Sequence, residues 1–182
     1  MRILITNDDG INARGLEVLA QVARDIGQVD VVAPDREQSG ASHSLTLHRP
    51  LRPLLRPDGA YQIDGTPTDC VLLALGQLLD KKPDFVFSGI NHGPNMGEDV
   101  LYSGTVAAAM EGLSLGGIPG IAISLAGFDI SLIETHRDWI NRLVTTIVTV
   151  TDFPKETLLN VNIPPIPGDE IRGIRTTTLG NR

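Results

Sequence analysis

Cysteine is almost absent from this chain of 182 residues. The single cysteine, Cys70, excludes an internal disulfide and a metal site built from several thiolates. No apolar run approaches the length of a membrane span, and the N-terminus lacks the apolar segment of a signal peptide. We therefore expect a cytoplasmic protein that begins at Met1 and has no membrane partner.

The chain also has no excess of positive charge: its formal net charge is −7 at pH 7. This balance argues against the binding of long nucleic acid, which requires a basic surface. It leaves room for a single nucleotide or phosphate ester held by a metal ion. The glycines after the first predicted strand do not form G-x-G-x-x-G, and no G-K-[ST] occurs. Dinucleotide-binding and P-loop sites would therefore lack their phosphate cradles.

The chain does contain alternating strand and helix patterns. Its length and its hydrophobic content of 41% suit one domain with a full core. Short apolar runs that end in turn residues predict strands at residues 2–6, 29–33, 84–88, 119–125, 158–163 and 171–177. Residues 45–63 predict a small antiparallel excursion. The alternation predicts a doubly wound, mostly parallel α/β domain.

Two acidic residues follow the first predicted strand. Asp8 and Asp9 repel each other at a point where the chain has just left the core. A bound cation would remove this cost, and ligands of open α/β sheets bind at the C-terminal ends of strands. The simpler interpretation is that the two residues form an Asx turn or cap the next helix.

Two helix starts carry capping residues. Thr66 is predicted as an N-cap, with Asp69 at the third helical position. Ser103, Gly104 and Thr105 open an alanine-rich helix, and their exposed N–H groups at the positive end of the helix dipole suit a phosphate. An ordinary N-cap by Ser103 is the simpler interpretation of the second start.

Polar residues at the strand ends suggest a metal site. Ser39 lies in a polar loop at residues 34–44, and Asn91 lies in a second polar stretch at residues 89–99. Together with Asp8 and Asp9 they offer only oxygen ligands, which favour one divalent cation, Mg²⁺, Mn²⁺ or Ca²⁺, over Zn²⁺ or Cu²⁺. Four protein ligands leave positions for water and substrate, as metal-assisted hydrolysis requires.

Several long motifs resemble the SurE (survival protein E) nucleotidase family. They are I-L-I-T-N-D-D-G-I-N-A-R-G-L at residues 3–16, A-P-D-R-E-Q-S-G at 33–40, G-T-P-T-D-C at 65–70, S-G-I-N-H-G-P-N-M-G-E-D-V-L-Y-S-G-T-V-A-A-A-M-E-G at 88–112 and N-V-N-I-P at 160–164. The resemblance implies a Rossmann-like domain over residues 1–182. It also implies a metal-dependent phosphomonoesterase that acts on nucleoside 5′- and 3′-monophosphates, with short polyphosphate as a further substrate.

The resemblance also implies roles for individual residues. The family's metal ligands map onto Asp8, Asp9, Ser39 and Asn91, and the two carboxylates are the catalytic candidates. The substrate and phosphate candidates are Gly40, Asn95, Ser103, Gly104 and Thr105. A homodimer or homotetramer is implied, whose subunits exchange a C-terminal hairpin and arm; the sequence ends at Arg182, before that arm is expected.

Other functions stay open at this point. An aspartyl-phosphate mechanism of the haloacid-dehalogenase type needs D-x-D, whereas Asp8 and Asp9 are adjacent. A receiver domain needs a phospho-accepting Asp at a later strand end, where this chain has Ser88. A metal-dependent nucleotide sensor or assembly module would bind without turnover. His43 and His92 lie in the two polar loops and are the alternative acid–base candidates.

Overall fold

The structure, a computed structural model, describes residues 1–150, 153–154 and 156–180. Strands and helices alternate along this part of the chain. The strands are β1 Arg2–Thr6, β2 Gln28–Pro34, β3 Pro53–Leu55, β4 Tyr61–Ile63, β5 Phe85–His92, β6 Gly120–Leu125 and β7 Leu158–Ile163. The α-helices are α1 Arg14–Arg24, α2 Pro67–Leu73, α3 Gly104–Gly116 and α4 Arg137–Thr149, and shorter helical segments lie at Ala74–Leu78, Gly97–Leu101, Ile130–Glu134 and Gly168–Glu170. Within the described residues, every helix is too short or too polar to cross a bilayer.

The seven strands form one sheet in the order β3-β4-β2-β1-β5-β6-β7. The pair β3 and β4 is antiparallel, and the other neighbouring strands run parallel. The predicted doubly wound α/β fold with a small antiparallel excursion is confirmed. From β1 the chain builds the sheet first towards β2 and then, after β4, towards β5. The order of strands therefore reverses between β1 and β5, which is where open α/β sheets bind their ligands.

Side-chain alternation along the strands places one apolar core on each face of the sheet. Ile3 and Ile5 join the residues of α1 and α4 on one face. Leu4, which points the opposite way, packs with Val71 of α2 and Ala108 of α3. Both faces of the central strands are buried, so these strands are apolar at nearly every position, as parallel sheets require.

The two predicted helix caps are confirmed. The Thr66 hydroxyl accepts the Asp69 backbone N–H at 3.1 Å, and the Asp69 carboxylate accepts the Thr66 N–H at 2.9 Å. The Ser103 hydroxyl accepts the Val106 N–H at 3.1 Å. Local capping chemistry therefore fixes where α2 and α3 begin.

Two strand predictions need correction. The strand predicted at 84–88 continues to His92, with an irregularity between Ser88 and Asn91 in its pairing with β6. A side chain at Gly89 would place its Cβ 2.3 Å from the Ile123 carbonyl oxygen, so a glycine lets the two strands stay together there. The strand predicted at 171–177 is wrong, because residues 171–180 run along the surface without a partner strand. Residue types that favour strands do not make one unless a neighbouring strand completes its hydrogen bonds.

Candidate active site

The turn after β1 is held by Asn7. Its side-chain nitrogen donates to the Gly10 carbonyl at 3.0 Å, and its side-chain oxygen accepts the Gly10 N–H at 3.2 Å. The N-cap of α1 is Ala13, which has no capping side chain. The simpler interpretation of the acidic pair as a turn or cap is therefore not what the structure shows. Asn7 forms the turn, and both neighbouring carboxylates point to other partners.

Asp8 lies against the start of α3. The residue is 4% exposed, and its carboxylate accepts a hydrogen bond from the Thr105 hydroxyl. A Cβ on Gly104 would stand 2.8 Å from the Asp8 Cβ, so only glycine allows this close approach. Burial raises the pKa of Asp8, although hydrogen bonds from Thr105 oppose the rise. The carboxylate thus lies beside the positive end of α3, which favours its charged form.

Asp9 lies against the end of β5. Its Oδ2 accepts the backbone N–H of His92 at 3.2 Å. Burial, followed by the charge of Asp8, raises the pKa of Asp9 to about 6. The charge of Asp8 therefore disfavours the charged form of Asp9, while burial disfavours the charged form of both carboxyl groups. This is the electrostatic situation that a divalent cation relieves.

The polar loop after β2 passes beside this pair. The Gln38 N–H donates to the Asp8 carbonyl oxygen at 2.7 Å, which brings Ser39 close to the acidic turn. The Ser39 hydroxyl donates to Glu37 Oε1 at 2.8 Å. The Glu37 charge raises the pKa of Asp8 and of Asp9, after burial and closer partners. Gly40 is exposed with a φ of +74°, and a Cβ there would meet no atom within 4 Å.

Asn91 lies within β5, where it pairs with Ser124 of β6. Its side-chain nitrogen donates to the Gly93 carbonyl at 2.8 Å. This hydrogen bond fixes the orientation of the amide and leaves its oxygen as the atom suited to a hard cation. Asn91 and His92 thus belong to the same strand end that holds Asp9.

Asn95 is held by side chains of β6 and β7. Its backbone N–H donates to Asn162 Oδ1 at 2.9 Å, and its carbonyl accepts the side-chain amides of Asn160 and Asn162 at 2.8 and 2.9 Å. Its own amide nitrogen donates to Ser124 Oγ at 2.8 Å. The residue is 6% exposed. Four hydrogen bonds therefore fix the loop between β5 and α3 onto β6 and β7.

A second tether connects the two polar loops. His43 Nε2 lies 2.6 Å from Glu111 Oε2, and Glu111 is 7% exposed on α3. The Ser42 N–H donates to the Tyr102 carbonyl at 3.1 Å, and the Ser42 hydroxyl donates to the Leu101 carbonyl at 2.7 Å. The loop that carries Ser39 is thereby attached to α3, whose first turn contacts Asp8.

The structure brings some of the candidate residues into direct contact. Asp8, Gly104 and Thr105 touch one another, Asp9 touches the strand end at Asn91 and His92, and Ser39 follows a residue bonded to Asp8. The Ser103 hydroxyl serves as a cap, and Asn95 contacts β6 and β7 rather than the carboxylates. Within the described part of the chain, no three His, Cys, Asp or Glu side chains converge as metal ligands.

Four residues of this region were missed by the sequence interpretation. Glu37 stands beside both carboxylates, Glu111 binds His43, and Asn160 and Asn162 hold Asn95. The two asparagines did leave a signal, because they occupy alternate positions on one face of an otherwise apolar strand. Glu111 left none beyond a charge within an apolar helix pattern.

Comparison with known proteins agrees with this geometry. The family described as Survival protein SurE matches residues 3–182. A relative from Gemmatimonas aurantiaca, called 5′-nucleotidase SurE, is 62% identical over 100% of this chain and 73% of its own length. Relatives of the same name from Nitrosococcus oceani and Methylococcus capsulatus are 52% and 53% identical over 100% of this chain and 72% of theirs.

The solved structures agree as well. The crystal structure of SurE protein from Aquifex aeolicus superposes with a TM-score of 0.93 at 44% sequence identity. The superposition covers 100% of this chain and 73% of the crystallised chain. The match in sequence and in fold extends through β1, β5 and the start of α3, where the acidic pair lies. The chain belongs to the SurE family.

Proposed function

We propose that this chain is a divalent-metal-dependent phosphomonoesterase that hydrolyses nucleoside 5′- and 3′-monophosphates to nucleoside and phosphate. Short polyphosphate is a further proposed substrate. The observation that carries the proposal is the acidic pair at the switch point of the sheet, in which Asp8 is buried, Asp9 is half-buried and both pKa values are raised. The curated relatives named 5′-nucleotidase support the substrate class.

The residues at the site fit a hard divalent cation. Asp8 and Asp9 supply two carboxylates whose repulsion a double positive charge would cancel. Ser39 supplies a hydroxyl and Asn91 an amide oxygen, and no thiolate or imidazole belongs to the set. A cation bound by these four residues would polarise a phosphoryl oxygen and lower the pKa of a bound water. We propose that Mg²⁺ or Mn²⁺ occupies this position. Ca²⁺ is a hard divalent cation that these oxygen ligands could also bind.

The chain's own residues have the task of holding this geometry. Thr105 orients Asp8, and the backbone N–H of His92 orients Asp9. Both hydrogen bonds favour the charged carboxylate, which is the form that can bind a cation. Asp8 and Asp9 are therefore the proposed catalytic residues, and no covalent phosphoenzyme is expected in this mechanism.

The phosphate is proposed to lie between the acidic pair and the loops around it. Ser103, Gly104 and Thr105 present the positive end of α3 to this position. Asn95, held on four hydrogen bonds, and the open, exposed Gly40 are the other proposed contacts. A single domain over residues 1–182 and assembly as a homodimer or homotetramer stay predictions.

Removing the metal tests the proposed function. The purified chain is assayed with p-nitrophenyl phosphate and with a panel of nucleoside 5′- and 3′-monophosphates, before and after treatment with a chelator. We expect turnover with Mn²⁺ or Mg²⁺, its loss after chelation, and its recovery when the metal is returned. Binding of nucleotides without turnover would instead indicate a sensor or assembly module. Trapping of a phosphorylated aspartate would indicate the aspartyl-phosphate mechanism.

The tether between His43 and Glu111 yields a second prediction. His43→Ala is expected to weaken Mn²⁺ binding by about 10- to 100-fold, because the loop that carries Ser39 loses its side-chain contact with Glu111 of α3. His43→Gln can still hydrogen-bond to Glu111 and is expected to retain most of the affinity. Calorimetric titration with Mn²⁺ measures both variants. Equal Mn²⁺ affinity in the wild type and His43→Ala would contradict a positioning role for the tether.

A further inference from the structure

An aromatic ring stands exposed beside the acidic pair. Phe128 follows β6 and is 80% exposed. The backbone that carries the ring is nevertheless held, because His92 Nε2 donates to the Phe128 carbonyl at 2.7 Å. The His92 and Phe128 rings also meet in an edge contact, with centroids 5.9 Å apart and planes at 69°. An exposed apolar ring that already has one ring contact is available to a ligand at a lower ordering cost than a free side chain.

The contacts of His92 place this ring at the edge of the proposed site. The His92 backbone N–H bonds to Asp9, while its side chain supports Phe128. A Cβ on Gly93 would lie 3.4 Å from Phe128 Cε1, so the ring covers the backbone that accepts the Asn91 amide. His92 thus contacts both Asp9 and Phe128, and Gly93 contacts both Phe128 and Asn91.

A nucleoside monophosphate has the same arrangement of parts. Its phosphate requires the acidic, metal-binding end of the site, and its base lies beyond one sugar. Every nucleobase has a π-face, and stacking on an aromatic side chain contributes about 1–3 kcal/mol per base without selecting among bases. The acidic pair alone offers nothing that distinguishes a nucleotide from another phosphate ester.

We propose that Phe128, positioned by His92, is the platform on which the nucleobase of the substrate stacks. The proposal rests on the proposed nucleotidase function and names the feature that makes nucleosides the preferred leaving groups. Stacking predicts tolerance of all four bases, with purines favoured because their rings cover more of the phenyl face. Recognition of the base and activation of the phosphate are thereby carried by different residues.

The test compares two substrates that differ only in the base. Adenosine 5′-monophosphate and ribose 5-phosphate share the sugar phosphate, so the ratio of their kcat/KM values isolates the contribution of the base. In Phe128→Ala we expect this ratio to fall by about 5- to 100-fold, mainly through KM for the nucleotide. Phe128→Trp keeps an aromatic face and is expected to preserve the ratio.

Controls separate this proposal from the one it rests on. Leu54→Ala removes another large exposed side chain, 58% exposed on the edge strand β3, and is expected to leave the ratio unchanged. An unchanged ratio in Phe128→Ala, or an equal loss for both substrates, would overturn the stacking platform. Absence of turnover of both esters by the metal-loaded wild type would overturn the nucleotidase function itself. An unfolded Phe128→Ala would be recognised by circular dichroism, and Phe128→Leu would then replace it.

Discussion

Asp9→Asn is expected to abolish turnover and, at the same time, to stabilise the metal-free protein. Burial and the neighbouring Asp8 raise the pKa of Asp9 to about 6, so its charged form is disfavoured in the folded state. Asparagine can still accept the His92 N–H but carries no charge. We expect a gain of about 2 kcal/mol in the free energy of unfolding at pH 7.5, measured in a chelator by urea denaturation. Activity should fall at least about 100-fold, as for a lost metal ligand.

The expected gain in stability should depend on pH. The carboxyl of Asp9 titrates at a higher pH in the folded chain than in the unfolded one. The metal-free wild type should therefore lose stability as the pH rises from about 4 to about 6, whereas Asp9→Asn should show a smaller loss, because only Asp8 then titrates with a raised pKa. Mn²⁺ should raise the Tm of the wild type and leave that of the variant unchanged.

Two further variants sharpen the interpretation. Asp8→Asn is expected to lose most activity in a folded protein, and retained turnover would defeat the assignment of the acidic pair. Asp129→Asn is the matched control, because hydrogen bonds from Ser131 lower the pKa of this exposed carboxyl. Its removal should bring no gain in stability. If metal-free Asp9→Asn were less stable than the wild type at pH 7.5, the charged Asp9 would not destabilise the folded state.

Gly15→Ala is expected to destabilise the fold strongly, although alanine is the better helix former. Gly15 lies in the first turn of α1, and a Cβ there would stand 2.0 Å from the Ile90 carbonyl oxygen and 3.0 Å from its carbon. The obstacle is the backbone of β5, which cannot rotate away as a side chain could. We expect a loss of about 3 kcal/mol, which lowers the Tm by about 10 °C in a domain of this size.

Gly76→Ala is the matched control for this prediction. Gly76 also lies in a helical segment, at Ala74–Leu78, but a Cβ there would meet no atom within 4 Å. The change should be neutral or stabilising by up to about 1 kcal/mol, because it lowers the entropy of the unfolded chain. Thermal unfolding of both variants, followed by circular dichroism, separates the effects. Similar Tm values for the two variants would mean that α1 can move away from β5.

Features that depend on near neighbours in the sequence could be predicted. The Thr66 capping box and the Ser103 cap follow from residues three positions apart, and the structure contains both. The apolar run of β1 lies at the predicted residues, because a central parallel strand that is buried on both faces needs an apolar side chain at most positions. The strand β7 also lies at the predicted residues, although it ends the described strand order and is half-buried over most of its length. The position of Asp8 and Asp9 at the switch point then follows from the order of strands and helices.

Features that depend on distant partners could not be predicted. Gly89 was taken to end a strand, yet its missing side chain is what lets β5 pass the Ile123 carbonyl and reach Asn91. Residues 171–177 contain the β-branched residues that strands favour, but a partner strand is absent from the described residues. The role of Glu37 depends on the Gln38 contact with Asp8, a pairing across two strand ends that no local pattern records.

In the loop between β5 and α3, Asn95 obtains most of its hydrogen bonds from Asn160 and Asn162 of β7, which are synthesised late. The acidic turn leaves the ribosome early, whereas Asn160 and Asn162 emerge only after most of the sheet has been made. Until then, Asn95 can make its amide hydrogen bond to Ser124 of β6 but lacks the three hydrogen bonds that β7 supplies. A nascent chain that stops short of β7 therefore contains the carboxylates beside a loop with fewer hydrogen bonds, and the proposed site is completed only when β7 joins the sheet.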